Sequence, residues 1–146
     1  MKIKMSGPDS YYTPSSLADK LVNYILSTQI SRAVDFCVGD GNLLKAVIKR
    51  YVNAELYGTD ISDDALKKLS SDCPNWHLGQ CDFKMDESVE NVSFLKKGLF
   101  DLIVLNPPFT CKGSVVESLV FEGEEYSVST AMFFLMRALK YMAPNG

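Results

Sequence analysis

A chain of 146 residues, 47% of them hydrophobic, has the length of one domain and enough apolar surface for a packed core, which excludes a disordered segment. A net charge of −3 and a pI near 5.1 exclude a protein that grips nucleic acid by overall electrostatic attraction. Four scattered cysteines without a Cys-x-x-Cys pair and a single histidine exclude a Cys/His zinc set, and no uncharged stretch nears the length of a membrane span; reduced thiols, no metal, no membrane and a cytoplasmic location are expected.

In chain order, Leu17, Leu21, Tyr24 and Ile25 recur at helical spacing behind Pro14, which predicts a helix over 15–27 packed on a sheet. From residue 30 onward short apolar runs alternate with amphipathic stretches. Strands are predicted at about 33–37, 54–59, 76–80 and 99–105, and helices at 43–51, at 62–70 behind an acidic first turn, and at about 128–142. Residues 83–98 read as a loop or short surface helix. Residues 110–127 read as a loop rich in Gly, Ser and Glu, with Glu122, Glu124 and Glu125 as a solvated acidic cluster. The fold class is therefore α/β, a Rossmann-like doubly wound and mostly parallel sheet, in a single domain over residues 1–146. Four strands are fewer than such sheets usually hold, and Pro144-Asn145-Gly146 is a turn that ordinarily leads onward, so a domain incomplete on its C-terminal side, or completed by a partner, is expected.

The most informative stretch is 101–109, Asp-Leu-Ile-Val-Leu-Asn-Pro-Pro-Phe. Its apolar part suits a strand buried on both faces, and two prolines then leave the sheet in a stiff turn whose carbonyls lack amide partners. The side-chain oxygen of Asn106, the carbonyl of Pro107, the rigid Pro108 and the ring of Phe109 suit a planar group bearing an exocyclic amine. A plain proline turn with Phe109 in the core is the bland alternative.

The run Asp35-Phe36-Cys37-Val38-Gly39-Asp40-Gly41-Asn42 ends the first predicted strand and opens a helix. Gly39 and Gly41 permit a tight turn and close approach of a ligand, yet Leu44 stands where a dinucleotide fingerprint has its third glycine, which argues against a nicotinamide-dependent dehydrogenase. Asp60 closes the second strand, 19 residues after Gly41, in position to accept from ribose hydroxyls. Asp82 follows the third strand and Asn106 the fourth. Any one of these acids is by itself an ordinary surface Asp, but four polar groups at successive strand ends converge on the edge where open α/β sheets bind ligands. Lys45 and Lys112 read as solvated lysines, Trp76 as packing, and Cys37 as a small buried residue without a neighbour to activate it.

These motifs, in this order over roughly residues 11–146, resemble the N-terminal portion of S-adenosylmethionine-dependent amino-methyltransferases, in particular the adenine-N6 DNA methyltransferases of restriction-modification systems. The resemblance implies a class I methyltransferase fold with S-adenosylmethionine as cofactor. It implies that Tyr12, Thr13 and Pro14 lie over the methionine end, and that Asp35, Cys37, Gly39, Gly41 and Asn42 form the cofactor loop, with Phe36 where that subgroup commonly has proline. Asp60 with Ile61 would take the ribose, and Asp82 with Phe83 the cofactor's adenine. Asn106, Pro107, Pro108 and Phe109 would be the catalytic motif, with Asn106 also touching the cofactor and Phe109 stacking on a flipped base. DNA would be held by regions mostly absent from this chain, a missing C-terminal region or a specificity subunit, because no target-recognition domain is present; a homodimer through an exposed sheet edge is a further expectation. The same motif is compatible with an adenine or guanine of RNA or a protein glutamine amide, and a non-catalytic cofactor-binding or partner-binding module is the alternative of another class.

Overall fold

The computed structural model describes residues 12–108 and 116–146, so that Phe109, Cys111 and Lys112 lie outside the described residues. The elements in chain order are α1 (Ser15–Asn23), β1 (Arg32–Asp35), α2 (Asn42–Arg50), β2 (Glu55–Asp60), α3 (Asp63–Asp72), β3 (His77–Gln80), α4 (Asp86–Glu90), α5 (Ser93–Lys97), β4 (Leu102–Val104), β5 (Val116–Phe121), β6 (Glu124–Ser129) and α6 (Thr130–Leu139). Helix starts follow local chemistry. The Ser62 hydroxyl accepts the Ala65 amide at the head of α3, where Asp63 and Asp64 also oppose the positive helix end, and Ser129 accepts from Met132 at the head of α6.

Strands β1 to β4 form one parallel sheet in the order β3-β2-β1-β4. Alternation along β1 and β2 divides the core. Ala33 and Leu56 face a cluster with α1, α2 and α3, while Val34 and Tyr57 face a cluster with α4, α5 and α6. Covering both faces in this way is what a parallel sheet requires. The strand order reverses beside β1, because β2 and β3 lie to one side and β4 to the other. The carboxyl ends of β1 and β4 therefore flank the switch point, where open α/β sheets have their crevice.

Four expectations are corrected. Residues 116–129 are an antiparallel hairpin, not part of a loop: Glu122 and Gly123 both have positive φ (50° and 86°), the two-residue turn that matches strand twist. Its Leu119 is buried against the α6 side of the core, and α6 consequently starts at Thr130 instead of 128. In α1 the buried positions are Ala18 and Val22, whose small side chains allow close approach to α2, whereas Leu17 and Leu21, and Tyr24 just past the helix, face outward; of the expected stripe Ile25 packs against the core. The strand before Asn106 is half-buried and, among the described residues, lies at the sheet edge instead of being covered on both sides. Among the described residues, the start of its outer side is occupied: the Phe100 amide donates to the Tyr141 carbonyl at 2.8 Å and the Ala143 amide to the Phe100 carbonyl at 2.9 Å.

The second glycine of the loop is demanded by packing. Gly41 has φ +77°, and a Cβ there would stand 2.8 Å from Leu69 Cδ1 and 2.9 Å from the Trp76 ring. Gly41→Val is therefore expected to destabilise the fold by about 1–3 kcal/mol, read as a lower melting temperature with no ligand present.

Candidate functional site

The carboxyl ends of β1 and β4 and the turn into α2 surround a small hollow, open to solvent, lined by Tyr12, Thr13, Asp35, Cys37, Val38, Asp40, Asn42, Leu43 and Asn106. Asp35 is the last residue of β1 and is 1% exposed; its Oδ1 accepts the Cys37 amide at 2.9 Å. The loop then climbs through Gly39 (φ +51°) to Gly41, and the Val38 amide ties it to the Thr59 carbonyl of β2 at 2.8 Å. Asp60, at the end of β2, accepts the Gly39 amide at 2.8 Å through Oδ2 and the Ser62 amide at 2.9 Å through Oδ1. A carboxylate has about four lone-pair positions, so these two contacts hold it in place with acceptor capacity to spare.

Asn106 arrives from the other side, two residues beyond β4. Its Nδ2 donates to the Thr13 hydroxyl at 3.0 Å, and Asn42 Nδ2 donates to the Thr13 carbonyl at 2.9 Å and to Asp40 Oδ2 at 2.9 Å. The segment before α1 thus spans the two sides of the switch point. The Tyr12 ring rests on Gly39, where a Cβ would come within 2.6 Å of it, so the first loop glycine is required by this close approach.

The electrostatics favour a cation. Burial raises the Asp35 carboxyl to about 7, with Asp60 and Asp40 adding to the rise and the Cys37 amide opposing it. Burial, then Asp60 and Asp40, also raises the Tyr12 phenol, and burial with neighbouring Asp35 pushes the Cys37 thiol up, which keeps it protonated and unsuited to nucleophilic attack. A buried acid with two further acids close by gains most from a positively charged ligand.

Of the residues expected from the sequence, Tyr12, Thr13, Asp35, Cys37, Asn42 and Asn106 line this hollow. Gly39 and Asp60 lie beside it and are bonded to one another. Pro14 is the residue before α1 and its carbonyl starts the helix; Pro107 is half-buried and Pro108 exposed just past Asn106. Three residues fall elsewhere. The Phe83 ring lies in the core, stacked on Phe36 at 4.2 Å, and does not line this hollow. Ile61 is exposed with its carbonyl bonded to Gln80, and Asp82 makes a local turn by accepting the Lys84 amide at 3.0 Å. Val38, Asp40 and Leu43 complete the lining and were not singled out; the position of Asp40 between two glycines was the available signal for it. Lys45 is not simply solvated, since its Nζ donates to the Asp40 carbonyl at 2.8 Å. Among the described residues no group of His, Cys, Asp and Glu could hold a metal ion, and no helix is long and apolar enough to cross a membrane.

Comparison with known proteins adds to this geometry. The family profile described as the methyltransferase small domain matches residues 16–145. The chain belongs to that family. It is 30% identical over 117 residues to the rRNA N(6)-adenosine-methyltransferase metl-5 of Caenorhabditis elegans, covering 77% of this chain and 53% of the worm protein. Among solved structures, the methyltransferase subunit of a type I restriction-modification system from Streptococcus thermophilus superposes with a TM-score of 0.69 at 16% identity, covering 97% of this chain and 34% of that one. CalS10, an amino pentose methyltransferase of Micromonospora echinaspora solved with S-adenosylmethionine bound, superposes with a TM-score of 0.56 at 14% identity, covering 89% of this chain and 47% of that one. Both structures share the Rossmann-like methyltransferase fold, and the chain spans about half the length of the worm relative.

Proposed function

We propose that this protein methylates the exocyclic N6 amine of an unpaired adenine in DNA, with S-adenosylmethionine as cofactor. When bound, the cofactor supplies a methyl group carried on a positively charged sulfur. The observation that carries the proposal is that Asn106 and buried Asp35, at the ends of the two strands flanking the switch point, line one acid-rich hollow. The residues present fit the cofactor. Asp35 and Asp40 face its cationic end, and Asp60, steadied by two backbone amides, takes the ribose hydroxyls.

The amine of adenine is a poor nucleophile because its lone pair is delocalised into the ring. Acceptance of its hydrogens by Asn106 Oδ1 and the Pro107 carbonyl holds that lone pair on nitrogen and aims it into the hollow. This is orientation and electrostatic preorganisation without a covalent enzyme intermediate. The base must leave a duplex to be reached. No histidine lines the hollow, and the amine's proton passes to solvent. An acidic chain of this kind leaves the grip on phosphates to regions outside it or to a specificity subunit, and the open edge of β4 offers a place for a second copy.

A second reading, an adenine of RNA, is favoured by the worm relative. Incubation with methyl-labelled S-adenosylmethionine and unmethylated DNA, ribosomal RNA or ribosomal protein, followed by digestion and mass spectrometry, separates the two. N6-methyldeoxyadenosine is expected. N6-methyladenosine would move the substrate to RNA, methylglutamine would move it to protein, and no product in any arm would refute the activity of this chain. The cofactor role is tested independently: Asp60→Ala is expected to weaken S-adenosylmethionine binding by about 1.5–3 kcal/mol in calorimetry, and unchanged affinity would reject it.

A further inference from the structure

We infer that Thr13 is a positioning residue for the transfer step: its hydroxyl sets the orientation of the Asn106 carboxamide while its carbonyl anchors the loop after β1. The inference rests on the function proposed above. A carboxamide has two opposite ends, and only the oxygen can accept hydrogen from an amine. Asn106 Nδ2 donates to Thr13 Oγ1 at 3.0 Å, which turns the nitrogen end toward Thr13 and the oxygen end away from it. This contact joins residues 93 positions apart, and nothing local to the Asn-Pro-Pro turn would create it.

Thr13 is suited to be a fixed point. It precedes Pro14, and a residue before proline is confined to extended backbone. Its carbonyl is held by Asn42 Nδ2 at 2.9 Å, and the same Nδ2 donates to Asp40 Oδ2 at 2.9 Å. One short chain of contacts, Asp40 to Asn42 to Thr13 to Asn106, therefore runs from the loop that faces the cofactor to the group that faces the amine. Both ends line the same hollow, so the separation of the two reacting partners is set by Thr13 as much as by the sheet. Such a residue acts on the rate of transfer more than on ligand affinity.

Thr13→Val keeps the shape and removes the hydroxyl, Thr13→Ser keeps the hydroxyl, and Thr13→Ala serves if the valine variant does not fold. With adenine-containing DNA as acceptor, Thr13→Val is expected to lower kcat by about 10- to 100-fold. Calorimetric affinity for S-adenosylmethionine should fall much less than kcat, and Thr13→Ser should recover most of the rate. A second readout needs no turnover: the side-chain NH₂ signals of Asn106 in nitrogen-15 NMR, assigned by their loss in Asn106→Ala, should move and exchange faster in Thr13→Val but not in Thr13→Ser. Unmoved signals, or a loss confined to cofactor affinity, would overturn the role of Thr13. The expected NMR pattern without methyl transfer to any acceptor would instead overturn the proposed function and leave the positioning contact standing.

Discussion

Asn106→Ala is expected to lower methyl transfer by about 10²- to 10³-fold while leaving S-adenosylmethionine binding near wild type. The reason lies in what the side chain supplies. Its oxygen is proposed to accept from the amine, an interaction that strengthens as nitrogen develops charge, whereas Asp35, Asp40 and Asp60 carry the ligand's cationic and hydroxyl groups. The variant also removes the partner of the half-buried Thr13 hydroxyl, at a cost of about 1 kcal/mol in stability. Single-turnover kinetics with saturating cofactor separates the two effects, since a loss through misfolding would lower the active fraction instead of the rate constant. Turnover that survived in the alanine variant would reject the asparagine as the amine-facing acceptor.

Asp35→Asn is expected to flatten both the stability and the cofactor affinity of the protein against pH. The folded-state carboxyl is raised from 3.8 to about 7, chiefly by burial, so between those values the folded chain holds a proton that the unfolded chain has released. Stability from this group is thus complete at low pH and is lost as pH rises toward 7, by about 4 kcal/mol. The ionised form, which burial disfavours, is the form that a cationic ligand selects. Affinity for S-adenosylmethionine should therefore climb as pH passes upward through 7, and at pH 6 binding should release a proton, visible in calorimetry as a heat that depends on the buffer. The asparagine variant should show neither effect and should be more stable than wild type near pH 8. A wild-type affinity that is level from pH 6 to pH 8 would contradict a buried, ligand-responsive Asp35.

The parallel sheet was legible because strands buried on both faces and amphipathic helices have different periods, and because Asp and Asn interrupt apolar runs where strands end. On that signal Asp35, Asp60 and Asn106 were expected at strand ends, and Asp35 and Asp60 close β1 and β2 while Asn106 follows β4 by two residues. Phe83 lies beyond β3, in the turn closed by the Met85 amide on the Asp82 carbonyl, and its ring joins the aromatic cluster with Phe36 and Tyr141, a long-range contact without a local signature. The hairpin of β5 and β6 escaped because its turn is Glu-Gly instead of the usual Asn-Gly or Asp-Gly, and the surrounding glutamates masked the alternation of Glu117, Leu119 and Phe121. The outward stripe of α1 was misread for a related cause. Periodicity shows that a helix has an apolar side, but close packing on α2 selected the side with Ala18 and Val22.

By itself the sequence determined the order of the four parallel strands and the helices α1 to α3, the fold class and the positions at which polar groups leave the sheet, all of which depend on residues close together in the chain. Only the tertiary structure decided which of those groups meet. The strand order places β4 beside β1, so that Asn106 and Asp35 share a hollow from which Asp82 and Ile61 are absent, and the segment before α1 reaches across to bond Asn106. Such contacts are fixed by the packing of helices on both faces of the sheet and by the burial of charge, which are properties of the assembled chain and have no local signature.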